Sequence, residues 1–269
     1  MKSLAPPPGG FALVTGASSG IGEALARALA AKGWPLILAA RSKGRLDQVA
    51  ATLRECHQVE ARVVEIDLSL SGAAERLFAE TEGHGLPVEL LVNNAGFGWN
   101  GPEEELPLAR LHEMLALNVV AQGELAHLVF SAQAARRRGL ILNVASTTAF
   151  LPTPYFSAYG ATKAFVLAFS QALHEEGRPL GITVTCLCPG YTKTGFHDRA
   201  EMQGAEATPF PEMTPDAVAR VGLDALERGK AFKVPHLLDR VWIAGGRLVP
   251  RTWPPKIAAR MFARTRLRE

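Results

Sequence analysis

A tyrosine, a lysine and a serine are the side chains of this sequence with the clearest chemical use. Tyr159-Gly-Ala-Thr-Lys163 sets a phenol and an ammonium four residues apart, and Ser146 lies thirteen positions upstream of the phenol, after the apolar run Leu140-Ile-Leu-Asn-Val144. On a helix, positions i and i+4 share a face, so Lys163 can bring its charge beside Tyr159. A free phenol has a pKa of ~10. A neighbouring cation favours the anion, which moves proton exchange with a carbonyl or alcohol oxygen toward neutral pH. Such pairs also occur on ordinary surface helices, so this one gains its meaning from its neighbours.

One such neighbour is Leu13-Val-Thr-Gly16-Ala-Ser18-Ser19-Gly20-Ile21-Gly22, which follows an apolar run and opens a helix-period stretch. Glycines allow a tight turn and close backbone approach to a diphosphate, which can then sit on exposed amides at the positive end of a helix dipole. The spacing departs from the commoner G-x-G-x-x-G fingerprint and lacks the Gly-Lys-Ser/Thr ending of a nucleoside triphosphate loop.

These groups need a frame, and the apolar pattern supplies one. Short β-rich runs near 11–15, 35–40, 60–66, 88–93, 139–144, 181–188 and 231–234 alternate with helical periods near 20–32, 44–57, 71–83, 107–137, 155–176 and 215–228. That alternation predicts an α/β fold: a single-domain, doubly wound, Rossmann-like seven-stranded parallel sheet flanked by helices, with ligands at the carboxyl ends of its strands. We expect a flexible segment over 1–10, a domain over 11–235 and a basic C-terminal extension over 236–269. The long irregular stretch 189–214 reads as a substrate lid, ending at Thr214-Pro215, a helix N-cap and N1 pair.

The composition narrows the class. A chain of 269 residues with 48% hydrophobic and 20% charged residues can bury a full core. Neither a signal peptide nor a transit sequence is legible, and no uninterrupted apolar run approaches the roughly 18–20 residues of a membrane span, so a cytoplasmic protein is expected. Cys186 and Cys188 share a strand face without further ligands nearby and read as buried thiols, so no metal is expected. The net charge of +3 is uneven: residues 236–269 hold eight Lys and Arg against two Asp and Glu, +6, whereas 1–235 hold 21 against 24, −3. An acidic body argues against nucleic-acid binding, and no aromatic platform or recognition motif accompanies the tail.

Taken together, Thr15-Gly-Ala-Ser-Ser-Gly-Ile-Gly22, Asn93-Asn94-Ala95-Gly96, Asn118, Ser146, Tyr159-Gly-Ala-Thr-Lys163 and Pro189-Gly190 resemble, in order and spacing, the motifs of the short-chain dehydrogenase/reductase family over about 10–234. The resemblance implies an oxidoreductase that moves a hydride between a nicotinamide and a carbonyl or alcohol. It implies Tyr159 as acid or base, Lys163 as the residue that lowers the phenol pKa and bonds the nicotinamide ribose, and Ser146 as the donor to the substrate oxygen. Asn118 is similar to the family asparagine that holds a water and links Lys163 to solvent. A helix-interior Asn bonded to backbone fits that position equally well.

For the cofactor, the resemblance implies Gly16, Ser18, Ser19, Gly20, Ile21 and Gly22 at the diphosphate, and Asp67 with the Leu68 backbone at the adenine. It implies Asn94, Ala95 and Gly96 at the adenine ribose, and Pro189, Gly190, Thr192 and Thr194 at the carboxamide. Asp67 also reads as a helix cap. The second strand ends Ala40-Arg41-Ser42, where an NAD enzyme of this architecture carries an acid for the ribose hydroxyls. Arg41 and Ser42, with Lys43 or Arg45, suit a 2′-phosphate, so NADP(H) is expected. Family members commonly form dimers or tetramers through the helices bearing Asn118 and Tyr159, so a homodimer or homotetramer is expected here.

Several alternatives stay open. The same fold can serve as an NADP-binding redox sensor or scaffold with little turnover. Phe196, Met202, Phe210 and Met213, with Phe97 and Trp99, suit an apolar pocket for a lipid-like, aromatic or steroid-like ketone, or simply pack a lid shut. In the tail, Lys256, Arg260, Arg264 and Arg268 form one helical stripe beside Ile257, Ala258, Met261 and Phe262. That pattern fits a self-packing tail, a subunit contact or a peripheral membrane anchor, and Leu248–Pro255 fits a strap across the lid.

Overall fold

Strand β1 (Phe11–Thr15) is buried along its whole length, because it lies in the interior of a sheet covered on both faces. The computed structural model describes residues 4–193 and 212–266. Around β1 stand β2 (Leu36–Ala40), β3 (Ala61–Glu65), β4 (Val88–Asn93), β5 (Gly139–Val144), β6 (Ile182–Leu187) and β7 (Phe232–Lys233). The order is β3-β2-β1-β4-β5-β6-β7 and every pairing is parallel. The winding reverses between β1 and β4, which opens a crevice at the carboxyl ends of those two strands. The predicted strands appear within a residue or two, except that β7 keeps only two of its four residues.

Alternate side chains of the strands enter two cores. Ala12, Val14, Leu38, Leu90 and Leu142 meet α1 (Gly20–Ala30), α2 (Lys43–His57) and α7 (Pro215–Glu227). Leu13, Ile37, Leu91, Ile141 and Val184 meet α3 (Ala73–Thr81), α5 (Gln122–Arg136) and α6 (Ser157–Gly177) on the opposite face. This period of two in a sheet buried on both sides accounts for the continuous apolar runs in the sequence. Helix α7 starts as expected, with the Thr214 hydroxyl accepting from the Ala217 amide at 3.3 Å.

Three features differ from expectation. The helix expected over 107–137 is α4 (Leu108–Leu115) and α5 joined by a wider π turn, Ala116–Ala121. By length and a mean hydropathy of 1.3 this rod resembles a membrane span. Leu125, Ala126 and Val129 are buried against the sheet, and 39% of the apolar stretch is buried. The N-terminal segment is tied down from Leu4, which is buried and whose carbonyl accepts from the Trp34 indole at 2.8 Å. The C-terminal extension contains a helix not expected from the sequence, α8 (Leu237–Arg247), before α9 (Trp253–Arg266). Of the lid, 194–211 lies outside the described residues. Its flanks are clamped by Lys193 N donating to Met213 O at 3.0 Å and Met213 N to Tyr191 O at 3.1 Å.

At the amino ends of the strands, away from the crevice, Glu89 is buried within ion-pairing distance of Arg136 and accepts from Arg138, with both contacts at 3.1 Å.

Candidate active site

The crevice deepens into a cavity of about 460 Å³ that runs from the end of β2 to the start of α6. At one end is the glycine-rich turn. The Thr15 hydroxyl accepts from the amides of Asn94 (2.9 Å) and Ala95 (3.0 Å), locking the turn after β1 to the turn after β4. The Asn94 side chain donates back to Thr15 O at 3.0 Å. Gly16 has φ +65°, and a Cβ there would press on Asn94 and Ala95 at 2.8 and 3.1 Å. The turn therefore requires glycine for both conformation and space. Ser18, Ser19, Gly20 and Ile21 line the cavity at the amino end of α1, and Asn94, Ala95 and Gly96 line its opposite wall. Gly22 does not line it. A Cβ on Gly22 would collide with Gly16 O and Asn94, so this glycine permits helix-to-turn packing rather than contact with a ligand.

The other end of the cavity holds Ser146, Tyr159 and Lys163. Ser146 follows β5 and its hydroxyl accepts from the Thr148 amide at 3.2 Å, which fixes the short turn that presents it. Tyr159 and Lys163 lie on one face of α6 and are both buried. Tyr159 shares a hydrogen bond with Ser146. Lys163 Nζ donates to Val144 O at 3.0 Å and stands 5.8 Å from the centre of the Tyr159 ring. Asn118, in the π turn, does not line the cavity. Its side chain donates to Phe97 O (2.8 Å) and to the Thr162 hydroxyl (3.1 Å), and accepts from Phe97 N (3.2 Å). Thr162 in turn donates to Tyr159 O at 2.7 Å. A Cβ on Gly96 would come within 2.8 Å of Asn118 Oδ1 and 3.3 Å of Lys163 Nζ, so the wall, the asparagine and the lysine meet there.

The model of the family described as short chain dehydrogenase matches residues 10–204. This chain belongs to that family. A very-long-chain 3-oxoacyl-CoA reductase of Anas platyrhynchos is 35% identical over 237 residues, covering 84% of this chain and 73% of that protein. The structure of a short-chain dehydrogenase from Sphingobium yanoikuyae in complex with NADPH superposes with a TM-score of 0.81 at 32% identity, covering 88% of this chain and 93% of the other. The bulky-bulky ketone specific alcohol dehydrogenase of Comamonas testosteroni gives 0.75 at 30% identity, covering 90% and 95%. Short-chain dehydrogenases are oxidoreductases of carbonyl and alcohol groups, and their fold binds a nicotinamide cofactor.

The electrostatics of this dehydrogenase correct one expectation. Lys163 was expected to draw the phenol pKa down, yet burial pushes Tyr159 up to about 12, opposed only in part by the Ser146 hydrogen bond. Burial also lowers Lys163 to about 8, although the nearby Cys186 and Cys188 thiols act in the opposite sense. Desolvation is the largest cause of both shifts, and the ammonium is engaged by Val144 O. The two thiols are buried, 3.7 Å apart, and burial raises Cys188.

At the β2 end, Ala39, Ala40, Arg41, Ser42 and Arg45 line the cavity. The Ser42 hydroxyl makes no capping bond to α2 and no acid lies in that helix's first turn. Arg41 donates to Glu113 at 3.2 Å and stands 3.9 Å from Asp67. Asp67 accepts from the Ser69 amide (2.9 Å) and hydroxyl (2.6 Å) through Oδ1, a turn cap, and turns Oδ2 toward Arg41. Leu68, Pro189, Gly190 and Thr192 line the cavity, and Thr192 donates to Gly190 O at 3.1 Å. Thr194 lies outside the described residues, as do Phe196, Met202 and Phe210. Phe97 and Trp99 do not line the cavity. Phe97 packs behind Tyr159 with Met114 and Phe156, under the Arg110 guanidinium at 4.0 Å.

The extension supplies wall residues that sequence reasoning missed: Asp239, Trp242 and Ile243 from α8, and Pro254 and Ala258 from α9. Asp239 is 4% exposed and, among the described residues, its Oδ2 has no hydrogen-bond partner. That oxygen occupies the space a Cβ on Gly190 would need, and burial raises the carboxyl pKa against an opposing effect of His236. Thr15, equally unforeseen, acts through the two turns it joins.

Proposed function

We propose that this short-chain dehydrogenase is an NADP(H)-dependent reductase of a bulky, apolar ketone, with Tyr159 as proton donor. One observation carries the reading: a single cavity joins an end lined by Arg41, Ser42 and Arg45, without a carboxylate at Ala40, to an end holding Ser146, Tyr159 and Lys163 between apolar walls. Leu151, Phe156, Trp242, Ile243, Pro254 and Ala258 form those walls. The printed names of the relatives support the substrate class, since one is a very-long-chain 3-oxoacyl-CoA reductase and another is specific for bulky-bulky ketones. The complex of the Sphingobium yanoikuyae enzyme with NADPH supports the cofactor.

The residues fit the cofactor, because Gly16, Ser18, Ser19, Gly20 and Ile21 at the amino end of α1 and Ser42 and Arg45 at that of α2 line the same cavity. When bound, the reduced nicotinamide supplies a hydride to the carbonyl carbon. Ser146 donates to the substrate oxygen, where negative charge develops. Tyr159, neutral across the physiological range, gives that oxygen its proton. Lys163, mostly charged at pH 7, stabilises the phenolate left behind and bonds the ribose. Asn118 acts as a positioning residue, holding Phe97 and, through Thr162, the helical turn that carries Tyr159. The family commonly oligomerises; we assign the contact to the exposed Leu115, Val120 and Phe165 on the rods bearing Asn118 and Tyr159.

At the phosphate end, Arg41 must leave Glu113 or share it. The Arg41 side chain is 56% exposed. Ion pairs this exposed are worth about 0–1 kcal/mol, so a dianionic phosphate wins the guanidinium. Titration of both cofactors should give NADPH at least about tenfold tighter than NADH, ~1.4 kcal/mol, and Ala40→Asp with Arg41→Ala should invert the order. Equal wild-type affinities would refute the cofactor assignment. Cofactor binding without oxidation of NADPH by any of a panel of bulky ketones would favour a sensor or scaffold.

A further inference from the structure

We propose that α8 and the segment joining it to α9 form a docking face for an anionic lipid bilayer, beside the mouth of the cavity. The sequence directs attention to the stripe on α9, but the structure turns Ala258 of that helix into the cavity wall and shows an outward apolar face on α8. Leu237, Leu238, Val241 and Trp242, at i, i+1, i+4 and i+5, share one side of α8 and are 63%, 58%, 61% and 38% exposed. Leu248 and Trp253 extend the face at 88% and 54%. The other side of the helix packs inward, since Ile243 and Asp239 are buried. Soluble proteins seldom leave so many large apolar side chains contiguous unless something covers them.

The charges around the face select the occupant. Arg240, Arg251, Lys256 and Arg260 are exposed, whereas Asp239, the single acid in 236–266, is buried. An apolar stripe with tryptophans, rimmed by basic residues and without an exposed acid, fits the headgroup boundary of an anionic leaflet. A second copy of the chain fits poorly, because a two-fold contact would set this basic rim against itself. Trp242 both belongs to the face and lines the cavity, so docking places the entrance at the bilayer surface. The docking stands on the α8 face alone and does not require the substrate class proposed above.

The test uses the full chain and sedimentation with phosphatidylcholine vesicles containing roughly 30% phosphatidylglycerol, against pure phosphatidylcholine, at low salt. Wild-type protein should pellet with the anionic vesicles at least about tenfold more readily than with the neutral ones, with a blue shift of tryptophan emission. Leu238→Gln with Val241→Gln should abolish pelleting while leaving the circular dichroism spectrum unchanged. Arg240→Gln with Arg251→Gln should erase the preference for anionic lipid. Failure of the wild type to pellet with anionic vesicles overturns the proposal, and so does pelleting that the Leu238/Val241 variant retains. A wild-type oligomer that this variant dissociates, with no vesicle binding, would instead make the face a subunit contact.

Discussion

Tyr159 and Lys163 share a face of α6 as their spacing requires, but their charge states follow from burial rather than from each other. Tyr159, held neutral by burial, carries the proton that a carbonyl oxygen takes up on reduction. Tyr159→Phe should lower turnover by about 100-fold or more while leaving NADPH affinity nearly intact, which cofactor titration and steady-state rates separate. Because kcat/KM reports groups of the free enzyme, kcat/KM for NADPH should fall above about pH 8 as Lys163 loses its proton; a flat profile to pH 10 would contradict the lysine's part.

Asp239 shows a cost of the site. Its folded pKa is raised by burial, so the folded state holds its proton more tightly than the unfolded chain, and stability falls as pH rises from the unfolded value through the folded one. Asp239→Asn should therefore raise the midpoint of thermal unfolding at neutral pH. The gain should vanish in acid, below the unfolded pKa, and scans at two pH values decide the matter. The motif residues were legible because side-chain type and spacing already state their chemistry. Thr15 and Asp239 were not, since the first acts only once β1 lies beside β4 and the second only once the chain end folds back over Gly190.

At the level of elements, the strands announced themselves through apolar runs bounded by turns, and the long helices through their period. The π turn was illegible, because Ala116–Ala121 continues an ordinary helical pattern. Only the bonds of Asn118 to Phe97 and Thr162 show what the wider turn positions. Helix α8 was missed although Leu237, Leu238, Val241 and Trp242 recur at helical spacing; Gly245-Gly246 and Pro250 interrupt that pattern and weaken the local signal. The amino ends of β4 and β5 depend on Glu89 between Arg136 and Arg138. Removing one partner of a buried pair costs about 3–5 kcal/mol. Arg138 is 56% exposed and can rehydrate, so Glu89→Ala should cost about 3 kcal/mol in denaturant unfolding, near the low end of that range. Arg138→Ala should cost less than about 1 kcal/mol. Equal effects would mean that Arg136 does not hold the carboxylate.

Across the whole molecule, two cores and a parallel sheet hold the site at one edge, and α8 with the first turns of α9 forms part of the wall there. The sequence located the extension but not its place in the wall, since nothing local says on which side of the sheet a chain end returns. The exposed Arg240, Arg251, Lys256 and Arg260 lie on the segment whose Trp242, Pro254 and Ala258 line the cavity, so positive charge of the extension stands near the entrance of a body whose residues 1–235 carry −3. That arrangement bears on how fast ligands arrive. A nicotinamide dinucleotide phosphate is a polyanion, and a field of this sign focuses it before contact, over the ~10 Å that 0.1 M salt allows. Stopped-flow association of NADPH should slow severalfold between low and physiological ionic strength, while dissociation changes little. The slowing should shrink in Arg251→Gln, Lys256→Gln, Arg260→Gln; association indifferent to salt would mean that the cofactor finds its crevice by diffusion alone.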